Sequence, residues 1–103
     1  MKINPRSQEL LNKLMACLNE HGITDRGRQA QCASQLMKHT HSHIERCKDA
    51  RLNKSGDLLE DALNHSNELW VADLENDLRK YGIPHDKIET CGMDLITIMG
   101  GFI

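Results

Sequence analysis

The residue types most capable of chemistry gather between positions 39 and 47: His39, His41, His43 and Cys47. In a helix each residue turns by about 100°, so His39, His43 and Cys47 stand one above another, drifting about 40° per step. Neutral imidazole and thiolate at this spacing offer adjacent ligands to Zn, Ni or Cu. Three such positions on a straight helix span roughly 12 Å, too far for one ion. A metal would take His39 with His43, or His43 with Cys47, and draw its other ligands from another helix or chain. Cys32 lies on the same side of that helix, whereas His41 points away toward solvent. The plainer reading makes Cys47 a core residue flanked by two histidines, with no cofactor.

Cys17, followed by His43 and Cys47 with Ile44, Glu45 and Arg46 between the last two, is similar to a pattern of the copper-sensing repressor family. Those small all-helical metal and formaldehyde sensors use a Cys and then a His-x3-Cys on one long helix. The similarity is confined to these positions, and Gly22 and Gly27 put Cys17 on a separate helix here. Catalysis has less behind it. No G-x-S-x-G, H-E-x-x-H or P-loop pattern occurs, and Gly100-Gly101 has no helix after it. No histidine is placed by sequence beside both a nucleophile and an orienting carboxylate. The expectation is a protein that is not an enzyme.

Charge is distributed unevenly. Residues 1–54 carry ten Lys/Arg and five Asp/Glu, a balance of +5, while residues 55–103 carry three and ten, a balance of −7. The halves could serve different partners, or attract each other within a fold or a dimer. Simple mutual complementation is the plainer expectation. Asp57, Asp61, Glu68 and Glu75 fall within about 40° of one another on a helix, opposite Trp70, and form a stripe suited to a basic partner. A solvated face is the ordinary meaning of such a row. Arg26 and Arg28 stand at the start of a helix, where the dipole disfavours cations, so they are expected to serve a contact. A helix-turn-helix use against nucleic acid is the sharper version of that idea. It is not favoured, because the sequence pI of about 6.3 lacks the basic footprint of a DNA reader.

The elements that position these residues are legible from punctuation. Asn4 and Pro5 open a helix to about residue 21, with Leu10, Leu11, Leu14, Met15 and Leu18 on one face. Gly22 supplies a left-handed C-terminal residue and Ile23 the apolar contact that follows it. Thr24 or Asp25 caps a second helix over about 25–51, thinly apolar for its length. Asn53-Lys54-Ser55-Gly56 is a turn, and Asp57 with Glu60 reads as a capping box for a third helix over about 57–81. Gly82-Ile83-Pro84 ends that helix. A fourth segment, about 85–99, is expected to be helical, although Ile96-Thr97-Ile98 could form a short strand. A 60-residue shift aligns Leu14, Leu18, Gly22 and Ile23 with Leu74, Leu78, Gly82 and Ile83. A duplicated hairpin would explain the echo; convergence on ordinary capping chemistry is the plainer account.

The expected architecture is a single all-α domain of four helices, possible as two antiparallel hairpins. The start, Met1-Lys2-Ile3-Asn4-Pro5, lacks an apolar signal core, and no run approaches the roughly 18 apolar residues of a membrane span. Four cysteines without a C-x-x-C pair suggest reduced thiols in a cytoplasm. Seven of the eleven residues from Met93 to Ile103 are apolar. Met99 and Phe102 therefore join the acidic stripe as expected contact residues, unless the tail completes the core. The expected role is a non-enzymatic regulatory, adaptor or inhibitory protein that binds another protein, as a homodimer. A metal- or thiol-responsive DNA-binding regulator is the alternative.

Overall fold

The computed structural model describes residues 5–101. Four α-helices follow in order: α1 (Pro5–Glu20), α2 (Arg26–Asn53), α3 (Gly56–Lys80) and α4 (Ile88–Gly100), the last entered through a single 3-10 turn at His85–Lys87. The fold is all-α, and Ile96-Thr97-Ile98 lies within α4 rather than in a strand. No described helix is long and apolar enough to cross a membrane.

Local chemistry sets the helix ends. Asp25 caps α2, its carboxylate accepting from the Arg28 amide at 2.9 Å. The expected capping box of α3 is not formed. Ser55 occupies the cap position without a side-chain bond, and Asp57 sits inside the first turn. There its charge still opposes the helix dipole favourably. Asn4 lies outside the described residues.

The two Gly-Ile turns have the same construction. Gly22 adopts φ +122° and Gly82 φ +97°. The Ile23 amide returns to the Leu18 carbonyl at 2.9 Å, and the Ile83 amide to the Leu78 carbonyl at 2.9 Å. Both therefore close as Schellman caps, with each isoleucine buried behind its glycine. The turns are also tied together. Arg28 reaches from α2 to donate to the Tyr81 carbonyl at 2.8 Å, its guanidinium 5.9 Å above the Tyr81 ring. Tyr81 O is one of the carbonyls that the end of α3 leaves without an internal partner.

Past these turns the hairpins diverge. At about 1.5 Å per residue, α2 and α3 run to roughly 42 and 37 Å, against roughly 24 and 20 Å for α1 and α4. All four helices meet around Leu14, Leu18, Cys32, Leu36, Leu74, Leu78, Cys91 and Leu95, each of which has no exposed surface. Trp70 closes the far side of this core. Its ring nitrogen donates to Thr40 Oγ1 at 3.0 Å, and that hydroxyl donates to the Leu36 carbonyl at 2.7 Å. The sulfur of Met99 lies 3.0 Å from the same oxygen. Beyond Trp70, the distal ends of α2 and α3 continue as a two-helix arm.

Candidate functional site

The arm spans about residues 44–66, and within that range only Ala50 and Ser66 are buried. Its base is held by polar bonds. Ser66 Oγ accepts from Arg46 Nε at 2.9 Å and lies 2.9 Å from His43 Nδ1. The His43 ring stacks on Trp70, centroids 4.5 Å apart and planes 5° from parallel. Burial, aided by the charge of Arg46, holds the His43 imidazolium below its ordinary range, so the neutral ring is favoured.

Apolar side chains on the arm lack cover. Leu58 is 69% exposed and Leu52 75%, while Leu69 and Ile44 near the base are also exposed. Leu58, Ala62, His65 and Leu69 follow i, i+4, i+7, i+11 spacing and share one flank of α3. A groove beside that flank is lined by Arg46, Ala50, Lys54, Ala62, His65 and Ser66. Small residues at its floor, Ala50 and Ala62, leave room for a larger apolar side chain. Among the described residues, no Lys or Arg of α2 forms an ion pair with a carboxylate of α3. The expected mutual complementation of the basic and acidic halves is therefore not realised as Lys/Arg ion pairs between these helices.

The acidic stripe is presented as its spacing implies. Asp57, Asp61 and Glu68 are exposed, with Glu75 half-buried. Glu75 rests against α4 at Gly92, where a Cβ on the glycine would meet the Glu75 Cγ at 4.0 Å. Met99, expected as a contact residue, is 1% exposed and belongs to the core beneath Thr40, because α4 turns its Ile88–Leu95–Met99 face inward. Phe102 lies outside the described residues. Arg28 has its contact within the chain, at the Tyr81 carbonyl, and Arg26 is exposed.

His39, His43 and Cys47 are not gathered into one site. His39 faces α3, its Nε2 3.1 Å from Asp77 Oδ2 and its Nδ1 3.6 Å from Asp73 Oδ2. Alignment to Asp77 is poor, so that buried oxygen has no hydrogen-bond donor. Burial raises the Asp77 carboxyl above its ordinary range, with the His39 charge acting against the rise. His43 and Cys47 stay adjacent, the sulfur 3.8 Å from the ring nitrogens.

A different group converges between α1 and α4. One ring nitrogen of His21 and the sulfurs of Cys17 and Cys91 all lie within 4.8 Å of one another. His21 Nε2 is also 2.9 Å from Asp94 Oδ2. The hydrogen bond between the thiols lowers Cys17, against the effect of burial, and raises Cys91, which burial raises further. Cys32 is separately pushed up to about 12, chiefly by burial and further by Asp77. Sequence reading could find Cys17 and His21 as an i, i+4 pair, but not their partner seventy residues away. All four cysteines are free thiols. No family model, curated protein or solved structure matches this chain.

Proposed function

We propose that this chain is a non-enzymatic regulatory or adaptor protein that pairs with a second copy of itself through the α2–α3 arm. The observation that carries the reading is the arm itself: two helices thick, with Leu58 and Leu69 uncovered beside an alanine-floored groove. Amphipathic helices need their apolar stripe covered, and two helices alone leave the flanks of their seam open to water. A second arm packed by a two-fold operation would turn the pair into a four-helix bundle. Each Leu58 would enter the other chain's groove.

Charge favours the same occupant. From residue 44 to residue 54, α2 and its C-cap carry Arg46, Lys48, Arg51 and Lys54 against Glu45 and Asp49. From Gly56 to Leu78, α3 carries seven carboxylates and no Lys or Arg. A two-fold contact that sets α3 of one copy into the groove of the other brings acidic and basic segments together. Asp57, Asp61 and Glu68 lie about a quarter turn from the Leu58 flank and remain available to a basic protein partner. The nucleic-acid alternative has less support, since Arg28 is already engaged at Tyr81.

Light scattering across a concentration series tests the pairing. A dimer is expected that Leu58→Lys weakens by at least about tenfold, the scale of burying a charge in place of an apolar contact. Helix content should be retained. A monomer mass at every concentration overturns the reading. Reversal of Asp57, Asp61 and Glu68 to Lys should then abolish capture of a basic partner and weaken the dimer by less than Leu58→Lys does.

A further inference from the structure

We propose that Cys17, His21 and Cys91 form a zinc site that staples α1 to α4. The three donors come from α1, the turn that follows it and α4, and converge to within 4.8 Å of one another. With Zn–S near 2.3 Å and Zn–N near 2.0–2.1 Å, ligand atoms of a tetrahedral site stand roughly 3.5–3.8 Å apart. Small side-chain rotations bring the observed cluster to that spacing. Cys17 lies in the last turn of α1, and His21 follows immediately after the helix with its amide bonded to the Cys17 carbonyl at 3.2 Å, so the end of one helix delivers both.

The surroundings suit an ion as well as the distances do. Asp94, one turn after Cys91 on α4, holds His21 Nε2 at 2.9 Å. With Nδ1 as the zinc ligand, that carboxylate would orient the imidazole through its other nitrogen, a recurrent feature of zinc centres. Two thiolates and an imidazole select a borderline-soft ion over Mg²⁺ or Ca²⁺. Cys91 is fully buried and Cys17 nearly so. Access is nonetheless open, because a groove lined by Lys13, Ala16, Cys17, Glu20, Asp94 and Thr97 reaches the cluster from solvent. A water reaching the cluster from that side would complete a four-coordinate shell. Binding displaces one proton from each thiol that is not already ionised.

The site is independent of the arm. On α4, Cys91 and Asp94 occupy the side facing α1, while Glu89, Met93 and Ile96 line the groove toward α3. Zinc would therefore tie the short outer helices together without touching the proposed dimer contact.

Cobalt is the direct probe. Untagged, reduced, metal-free full-length chain titrated with Co²⁺ should take up one ion per chain. The spectrum should carry thiolate-to-cobalt charge-transfer absorption and tetrahedral ligand-field bands, both erased by one equivalent of Zn²⁺. Cys91→Ser and His21→Gln should each weaken Zn²⁺ binding at least 100-fold. Asp94→Asn should weaken it about 10- to 100-fold, the usual cost of removing a group that orients a ligand. His21 and Asp94 are at the surface side of the cluster, so those variants test the site even if Cys91→Ser fails to fold. Cys47→Ser should bind like the parent chain. Absence of a stoichiometric thiolate–cobalt band in folded protein overturns the proposal. So does a band that survives His21→Gln unchanged, or one that Cys47→Ser removes.

Discussion

The four-helix end and the two-helix arm are built from the same two long helices, yet they are held by different forces. Around Leu14, Leu18, Leu36, Leu74, Leu78 and Leu95, four helices exclude water on every side. Each such leucine contributes about 1.5–3 kcal/mol by burial. Along the arm, among the described residues, α2 and α3 have only each other. What fixes its base is the stack of His43 on Trp70 and the bonds of Ser66, while Leu52 and Leu58 remain in solvent. The two long helices thus extend beyond the region in which all four pack together.

The largest test of this difference is a matched pair of truncations. Leu74→Ala, in the four-helix core, is expected to cost about 2–5 kcal/mol in urea unfolding. Leu58→Ala should change stability by less than about 0.5 kcal/mol when measured at a concentration where the chain is monomeric. Equal costs would erase the distinction between the two regions. Next comes the boundary itself. Thr40→Val leaves the buried Trp70 N–H without an acceptor and should cost about 1–3 kcal/mol, visible also as a shift in tryptophan emission.

At the opposite end, Gly82→Ala forces a Cβ onto a φ of +97° and should cost about 1–2 kcal/mol. The loss should be reported by hydrogen exchange at Ile83 before it reaches the arm. The smallest effect is that of pH on the arm's base. His43 has a lowered folded-state pKa, so its contribution is full above the ordinary value of 6.5 and is lost as pH falls through the folded value. Acidification from pH 7.5 to 5 should destabilise the parent chain more than a His43→Phe variant, compared by urea midpoint. Identical pH slopes would remove His43 from the account.

Much of the fold could be read before any tertiary contact. Gly22-Ile23 and Gly82-Ile83 declare their caps because only a residue without Cβ takes the positive φ that the Schellman geometry needs. Pro5 and Pro84, and the leucine spacing of α1 and α3, bound three helices to within a residue or two. Local conflicts were harder. Asp57 carries the chemistry of a cap, but Gly56 at φ +60° lets the chain enter α3 one residue earlier. Ile96-Thr97-Ile98 favours a strand by propensity, and packing of Leu95 and Met99 overrides it.

The sequence alone determined α1, α2 and α3, the two Gly-Ile turns and the outward carboxylates Asp57, Asp61 and Glu68, since each depends on neighbours three or four residues apart. Tertiary structure decided which reactive groups meet. His39 left the row it shares with His43 and Cys47 to face Asp73 and Asp77, and Met99 withdrew from the surface. Cys91 arrived beside Cys17 and His21. Helical periodicity says which side of a helix a residue occupies, but the neighbour opposite that side is set by how the helices pack. In this chain the two short helices bring its distant ends into contact.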